Sequence, residues 1–138
     1  MPVRLLTQSR LRWPEAAEVL ASVGAWAAEQ FDRNDGLRKV GVFGSYGRGD
    51  AGVGSDLDLV LIDDNASGTQ TQRYRQWPFE QLPLSCDALV FTQQEWDELH
   101  ASPATDPAAH AMANALERDC RWLWCRPKAE GNSNTRDT

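Results

Sequence analysis

The sequence predicts an α+β (α/β-like) domain in which helices flank a small mixed β-sheet. Hydrophobic periodicity indicates a helix, three strands, two helices and a last strand along the 138 residues. A chain of this length suits one domain, to which residues 1–127 are assigned. Residues 128–138 are polar and lack aromatic side chains, so we expect a disordered tail there.

The first element is an amphipathic helix at residues 14–31. Pro14 suits a first helical turn, and Glu15 and Glu18 favour the positive end of the helix. Apolar side chains recur at helical spacing and predict one apolar face: Ala16, Val19, Leu20, Val23, Trp26, Ala27 and Phe31. We therefore expect Trp26 to lie in the core.

Four short apolar runs predict the strands: residues 37–43, 57–62, 84–91 and 121–126. The first run follows an Asn-Asp-Gly turn. The second is bounded by turn residues, which is typical of a largely buried strand. Trp122 and Trp124 alternate along the last run, so we expect them to share one face of the sheet.

Helices are predicted in the remaining segments. A short helix near residues 70–76 carries Arg73 and Arg75. These arginines suit a solvated face, and contact with a nucleotide base or a partner is the alternative. Thr92 and Glu95 form a capping box that starts the next helix. The last helix is expected to begin at Asp106–Pro107, with one side formed by Ala108, Met112 and Leu116.

Composition and charge argue against several classes of protein. A net charge of −6 disfavours broad contact with a nucleic-acid backbone, and we expect no direct DNA binding. An odd number of cysteines without CxxC spacing suits a reducing compartment better than a disulfide framework or a zinc site: Cys86, Cys120 and Cys125. We recognise neither a signal peptide nor a bilayer-spanning stretch, so a cytoplasmic protein without membrane contact is expected.

Acidic side chains lie at the second and third predicted strands. Asp56 and Asp58 are two residues apart at the start of the second strand, so both point to one face. Asp87 lies in the apolar third strand, where a carboxylate is costly to bury unless it is paired or binds a cation. If these strands are neighbours, the carboxylates converge. Hard oxygen ligands without His or Cys nearby suit Mg²⁺ or Mn²⁺ rather than zinc.

A glycine-rich loop after the first strand supplies phosphate-binding groups. Gly44 lets the backbone approach a ligand closely. The backbone N–H groups of the turn, the Ser45 hydroxyl and the Arg48 guanidinium can donate to phosphate oxygens. Phosphate donors beside a carboxylate cluster are typical of a phosphoryl- or nucleotidyl-transfer site.

The loop also has other interpretations. Residues 47–52 fit GxGxxG after a strand, but the next strand begins too soon for the helix that a dinucleotide site needs. A P-loop needs GK[ST], which the sequence lacks. A Gly/Asp-rich hairpin with solvated carboxylates stays open for the loop taken alone.

The whole constellation resembles the nucleotidyltransferase superfamily related to DNA polymerase beta. The hallmark of that superfamily is Gly-Ser, ten residues and then DxD, which Gly44–Ser45, residues 46–55 and residues 56–58 match without a gap. The resemblance covers about residues 14–126 and implies a polymerase beta-like fold. It implies catalytic and metal-binding roles for Asp56, Asp58 and Asp87. It implies nucleotide-binding roles for Gly44, Ser45, Arg48 and Ser55.

Within that superfamily the chain looks most like the minimal nucleotidyltransferases, which are short antitoxins paired with HEPN-domain toxins. Residues 44–51 (GSYGRGDA) are similar to their GS-x-x-RGDA stretch, and Ser55 matches the serine before DxD. The resemblance implies ATP as substrate, two Mg²⁺ ions, and a partner HEPN toxin whose tyrosine receives AMP. Gly47 stands where we expect a bulkier small residue such as alanine, so a more mobile loop is predicted.

Two alternative functions stay open. The domain could be a non-catalytic binding module that neutralises a partner by docking, although such a module need not keep all three carboxylates. It could also transfer a nucleotide to a small molecule, which the negative net charge permits. Few residues follow Asp87, so we expect the acceptor to be presented by a partner protein.

Overall fold

Four strands form one mixed sheet in the computed structural model, which describes residues 13–101 and 107–127. The strands are β1 (Leu37–Phe43), β2 (Leu57–Asp63), β3 (Cys86–Phe91) and β4 (Arg121–Cys125). Their order is β3-β2-β1-β4, with β2 and β3 parallel and the other two pairs antiparallel. The mixed sheet and the α+β class predicted from the sequence are confirmed.

Helices occupy most of the connections. They are α1 (Ala16–Phe31), α2 (Gly44–Arg48), α3 (Gln70–Tyr74), α4 (Gln93–His100) and α5 (Pro107–Asp119), with a 3₁₀ turn at Phe79–Gln81. None of the helices in the two described ranges combines the length and apolar character needed to cross a bilayer. The predicted tail at residues 128–138 and the helix start at Asp106 lie outside the described residues.

Helix α1 covers one face of the sheet. It begins two residues after Pro14, and the Glu18 carboxylate accepts a hydrogen bond of 2.9 Å from the Glu15 N–H. Trp26 is buried, and its indole N–H donates to the Pro78 carbonyl over 3.2 Å. The core on this face includes Val19, Val23, Ala27, Val40, Val42, Leu57, Leu59 and Leu61.

The opposite face of β2 is also buried. Val60 and Ile62 have no exposed surface, although they alternate with the residues that face α1. Helix α4 contacts β2 and β3, and α5 contacts β1. The helices that follow β3 therefore form the second layer, and β2 is a central strand buried on both sides, as its apolar run predicts.

The tryptophans of β4 lie on opposite faces of the sheet, so the prediction of a shared face is wrong. Trp124 packs against Phe31 of α1 with ring centroids 5.3 Å apart, whereas Trp122 packs against Trp96 of α4 at 5.5 Å. In the register, Val40 pairs with Trp124 and Gly41 pairs with Trp122. The residue between the tryptophans is therefore an extra one, and this β-bulge reverses the alternation.

The buried side of α5 differs from the predicted one. Leu116 is buried as expected, but Ala108 is exposed and 44% of the Met112 surface is accessible. Ala113 and Asp119 are buried instead. Helix α5 contacts α2, α4 and β1, and these contacts, rather than the apolar pattern of its sequence, set which stripe is buried.

Arg73 is buried rather than solvated. Its guanidinium donates to the Val90 and Gly68 carbonyls over 2.8 and 3.0 Å. It also forms a bidentate ion pair with Glu95, with N–O distances of 2.7 and 3.0 Å. Glu95 belongs to the capping box of α4 and accepts from the Thr92 N–H, as predicted. Arg73 thus ties α3 to the end of β3 and to the start of α4, while Arg75 is exposed.

Candidate active site

The predicted carboxylates gather at one end of β2 and β3. Asp58 and Asp87 are direct partners in the parallel register, and Asp56 lies one residue before β2. The pKa of Asp58 is raised, first by burial and then by the negative charges of Asp87 and Asp56. All three groups therefore lie within electrostatic range of one another, and the predicted adjacency of the two strands is confirmed.

The carboxylates fit a cation by their chemistry, but they are not a finished metal site. Asp58 is half-buried among like charges, an arrangement that a cation would relieve. Within residues 13–101 and 107–127, however, no three His, Cys, Asp or Glu side chains are already arranged to hold a metal ion. Asp56 and Asp87 are exposed, so their side chains have room to rotate toward Asp58.

Gly44 brings the backbone beside Asp58. Its φ of +64° lies in the left-handed region, and a Cβ built at this position would be 2.7 Å from the Asp58 Oδ2 atom. The chain then enters α2 directly and leaves it at Gly49, whose N–H donates to the Ser45 carbonyl over 3.0 Å. The first part of the predicted loop is thus a single helical turn, and the loop proper runs from residue 49 to residue 56.

Gly47 is required by packing. A Cβ at this position would be 1.9 Å from the Asp119 carbonyl oxygen and 2.9 Å from that of Val42. Helix α2 therefore fits closely between the end of β1 and the C-terminal end of α5. The missing side chain permits this contact, so packing explains the glycine; the mobility expected from the sequence stays a prediction.

The serines of the motif have different surroundings. Ser45 lies in the first turn of α2, where its carbonyl accepts from the N–H groups of Gly49 and Asp50. The Ser55 hydroxyl accepts a hydrogen bond of 2.9 Å from the Gly52 N–H, and the Ser55 N–H donates to the Gly52 carbonyl. Ser55 therefore stabilises the turn at residues 52–55, which Asp56 and the start of β2 follow directly.

Arg48 is held by carboxylates of the chain itself. Its guanidinium lies 3.3 Å from Asp50 and 3.4 Å from Asp119. These partners raise the pKa of Arg48 above its usual value, with Asp50 contributing most. Sequence reasoning missed Asp119, which is 71 residues away along the chain and carries no motif. A phosphate bound by Arg48 would have to compete with both carboxylates.

Comparisons with known proteins identify the family of the chain. The family model described as a nucleotidyltransferase domain matches residues 25–106, which include the Gly-Ser pair, the DxD motif and Asp87. No curated protein matches the chain. A crystal structure described as "a putative nucleotidyltransferase from Sulfolobus solfataricus" aligns with a TM-score of 0.53 at 18% identity and covers 86% of this chain and 95% of that one. This likeness shows a shared fold.

A second solved structure is described as "the toxin-antitoxin with AMP-PNP". It aligns with a TM-score of 0.48 at 14% identity and covers 74% of this chain and 73% of that one. The family assignment rests on the match to the family model, which spans more than half of the sequence and contains the carboxylates described above. The chain belongs to the nucleotidyltransferase domain family.

Proposed function

We propose that this nucleotidyltransferase is an antitoxin that transfers AMP from ATP to a tyrosine of a partner HEPN toxin. The pairing of Asp58 with Asp87, beside the Gly44 turn, is the observation that carries the proposal. It joins a carboxylate cluster to a backbone turn able to approach phosphate. The similarity of residues 44–51 to the minimal nucleotidyltransferases supplies the class of acceptor.

The proposed roles follow from position. Asp56, Asp58 and Asp87 would hold two Mg²⁺ ions, with Mn²⁺ as a substitute. Bound metal would supply neutralisation of the charge that builds on the α-phosphate and on pyrophosphate. Gly44 and Ser45 would bind the β- and γ-phosphates through the first turn of α2. Arg48 would join them by exchanging a carboxylate partner for a phosphate oxygen.

The transfer exchanges the phosphoanhydride between the α- and β-phosphates of ATP for a phosphodiester to the tyrosine oxygen. The tyrosine hydroxyl gives its proton to Asp87, and its oxygen forms a bond to the α-phosphorus of ATP. The bond between the α-phosphorus and the bridging oxygen breaks, and pyrophosphate leaves with that electron pair. Asp87 suits the proton transfer because it is exposed at the outermost strand and can be reached by a large acceptor.

The cysteines fit a reducing location, and Cys86 is a poor candidate for a part in the reaction. All three are free thiols: Cys86, Cys120 and Cys125. Burial raises the pKa of Cys86, next to Asp87, to about 11, so this thiol stays protonated and is a poor nucleophile. We propose a cytoplasmic location, and the free thiols support it.

The test is transfer of labelled AMP. The chain is incubated with α-³²P-labelled ATP, Mg²⁺ and extract from its source cells, and the labelled protein is identified by mass spectrometry. We expect one labelled protein, with the AMP mass on a tyrosine. The Asp56→Ala/Asp58→Ala double variant should transfer nothing while keeping the circular dichroism of the native chain. Equal labelling by the double variant would end the proposal.

The alternative is a module that neutralises its partner by docking alone. The observation in its favour is that the carboxylates are not already arranged as a set of metal ligands. A docking module would inhibit the partner without ATP, and the double variant would inhibit it equally well. A small-molecule acceptor would instead leave every protein of the extract unlabelled while pyrophosphate is still released.

A further inference from the structure

The outer edge of β3 is partly covered by side chains of α3. The Gln70 amide pairs with both backbone groups of Val90: it donates to the carbonyl and accepts from the N–H, each over 2.9 Å. The Tyr74 hydroxyl donates to the Cys86 carbonyl over 2.7 Å. Since β3 is an outermost strand, these bonds satisfy groups that would otherwise face solvent.

Ala88 lies between these two covered positions and is left open. In a parallel ladder, residues two apart direct their backbone N–H and carbonyl groups to the same side. The N–H and carbonyl of Ala88 therefore point away from β2, as those of Val90 do. Among the described residues no side chain bonds to the Ala88 N–H or carbonyl, in contrast to its neighbours on this edge. The gap is a cavity of about 520 Å³ lined in part by Gln70, Thr71, Tyr74 and Ala88.

The cavity adjoins the candidate active site. Asp87 is the residue before Ala88 and also lines the cavity. A backbone that pairs with Ala88 would therefore run past the carboxylate that we assign to proton transfer. The edge is open for one residue only, because Gln70 and Tyr74 close it on both sides.

We propose that the open edge at Ala88 binds the backbone of a short extended segment of the acceptor protein and holds its hydroxyl beside Asp87. This inference rests on the proposed protein-directed transfer. Addition of a strand to a free sheet edge is a general mode of peptide binding, in which main-chain hydrogen bonds give affinity. The site would select acceptors in which an extended segment lies next to the hydroxyl. A tyrosine within a helix does not meet this requirement.

Charge indicates one further feature of the segment. Arg75 is exposed and lines the same cavity, and among the described residues no carboxylate forms an ion pair with it. Asp87 is the other charged residue of the lining, and the remaining residues are neutral: Gln70, Thr71, Tyr74, Ala88 and Leu89. We therefore expect an acidic side chain in the acceptor segment, at a position that contacts Arg75 rather than Asp87.

The first experiment removes the open N–H. Ala88→Pro deletes this donor, and proline is tolerated on an edge strand where its nitrogen faces outward. With the acceptor protein that the wild-type chain labels, we expect the KM for acceptor to rise at least tenfold. Ala88→Ser keeps the N–H, so its KM for acceptor should rise far less than that of Ala88→Pro. Binding of ATP, measured by calorimetry, checks that each variant retains its fold and its nucleotide site. An unchanged acceptor KM in Ala88→Pro would overturn the inference.

The second experiment needs no variant at the edge. Hydrogen exchange of the wild-type chain is followed by mass spectrometry with a synthetic peptide that spans the labelled residue. We expect slower exchange in the segment 86–90 when the peptide is bound, and Arg75→Glu should weaken peptide binding while Arg33→Glu, an exposed matched control, should not. Unaltered exchange there would refute the docking mode. If the wild-type chain labels no protein, the proposed function fails together with this inference. If labelling proceeds without protection at β3, only the inference fails.

Discussion

Asp58 and Asp87 face each other across the parallel ladder of β2 and β3, and the pKa of Asp58 is raised by its burial and by the charge of Asp87. Two ionised carboxylates at paired positions of neighbouring strands repel each other unless a cation lies between or beside them. The fold therefore maintains an arrangement that costs stability in the absence of ligand. Such a cost is common at sites whose function needs the charges.

The first prediction concerns this cost. A carboxyl group with a raised pKa in the folded state stabilises the fold while it is protonated and loses that contribution as the pH rises through its folded pKa. We expect Asp58→Asn, in metal-free buffer, to melt at the same temperature as the native chain or higher at about pH 7, with the difference vanishing at about pH 4 and below. Differential scanning fluorimetry with EDTA measures this.

The control for Asp58→Asn is the response to metal. Adding Mg²⁺ should raise the melting temperature of the native chain, because a ligand that binds only the folded state stabilises it. The melting temperature of Asp58→Asn should rise less when Mg²⁺ is added. A variant that melts well below the native chain without metal would show that ionised Asp58 makes a stabilising contact.

The second prediction separates the two functions of glycine at Gly44. Gly44→Ala introduces a Cβ 2.7 Å from the Asp58 carboxylate at a φ of +64°. Gly54→Ala has a comparable φ of +87°, but nothing lies within 4 Å of its Cβ. Both should lose about 1 kcal/mol of stability from the left-handed backbone alone. Only Gly44→Ala should also lose AMP transfer, measured by label incorporation. Equal activities would mean that Gly44 serves the turn and not the site.

The third prediction concerns the close packing of α2 on α5. Gly47→Ala places a methyl group against the Asp119 and Val42 carbonyls, and neither backbone segment can move cheaply. We expect a loss of roughly 1–3 kcal/mol in the free energy of unfolding, as for other overpacked sites. Gly52→Ala, with open space around its Cβ, should change it by less than about 0.5 kcal/mol. Urea denaturation measures the free energy of unfolding of both variants. An unchanged value for Gly47→Ala would show that α2 can shift.

The fourth prediction concerns Arg73 and Glu95. Bonding to Arg73 lowers the pKa of Glu95 to about 2, so the ion pair stabilises the fold above the ordinary pKa of 4.5 and this contribution is lost as the pH falls toward 2. Glu95→Gln should therefore be less stable than the native chain at neutral pH, and the difference should shrink in acid. Urea denaturation at several pH values measures it, and a difference independent of pH would exclude the ion pair as its source.

The buried Arg73 allows a stronger test. Arg73→Ala removes the donor to the Gly68 carbonyl and one of the two donors to the Val90 carbonyl, and it breaks the pair with Glu95. We expect a loss of roughly 2–4 kcal/mol in the free energy of unfolding. Exposed Arg75→Ala should change stability by less than about 0.5 kcal/mol.

Local patterns predicted the elements that depend on nearby residues. The capping box at Thr92 lies where its spacing places it, because hydrogen bonds across three residues form it. Strand β1 lies where its short apolar run predicts a strand. The carboxylate pair was predicted only on the condition that two strands are neighbours. Alternation could place Asp87 on a face of its strand, but not beside Asp58.

What the sequence could not predict depends on contacts between distant segments. Gly47 is explained by Asp119, and the burial of Arg73 by Glu95 and Val90, none of which is adjacent in the chain. Arg48 is paired with a carboxylate that no motif marks. In each case the packing of helices against one another and on the sheet brings the partner near, and hydrophobic patterns leave that packing undetermined.

The extra residue at Leu123 has a consequence for the tolerance of the C-terminal end to change. Within the five-residue strand β4, Trp124 packs on α1 at one face of the sheet and Trp122 packs on α4 at the other face. Strand β4 therefore contacts both helical layers. A chain that ended before Arg121 would lose one tryptophan contact on each face of the sheet. A fusion partner joined after Pro127 would leave both contacts in place.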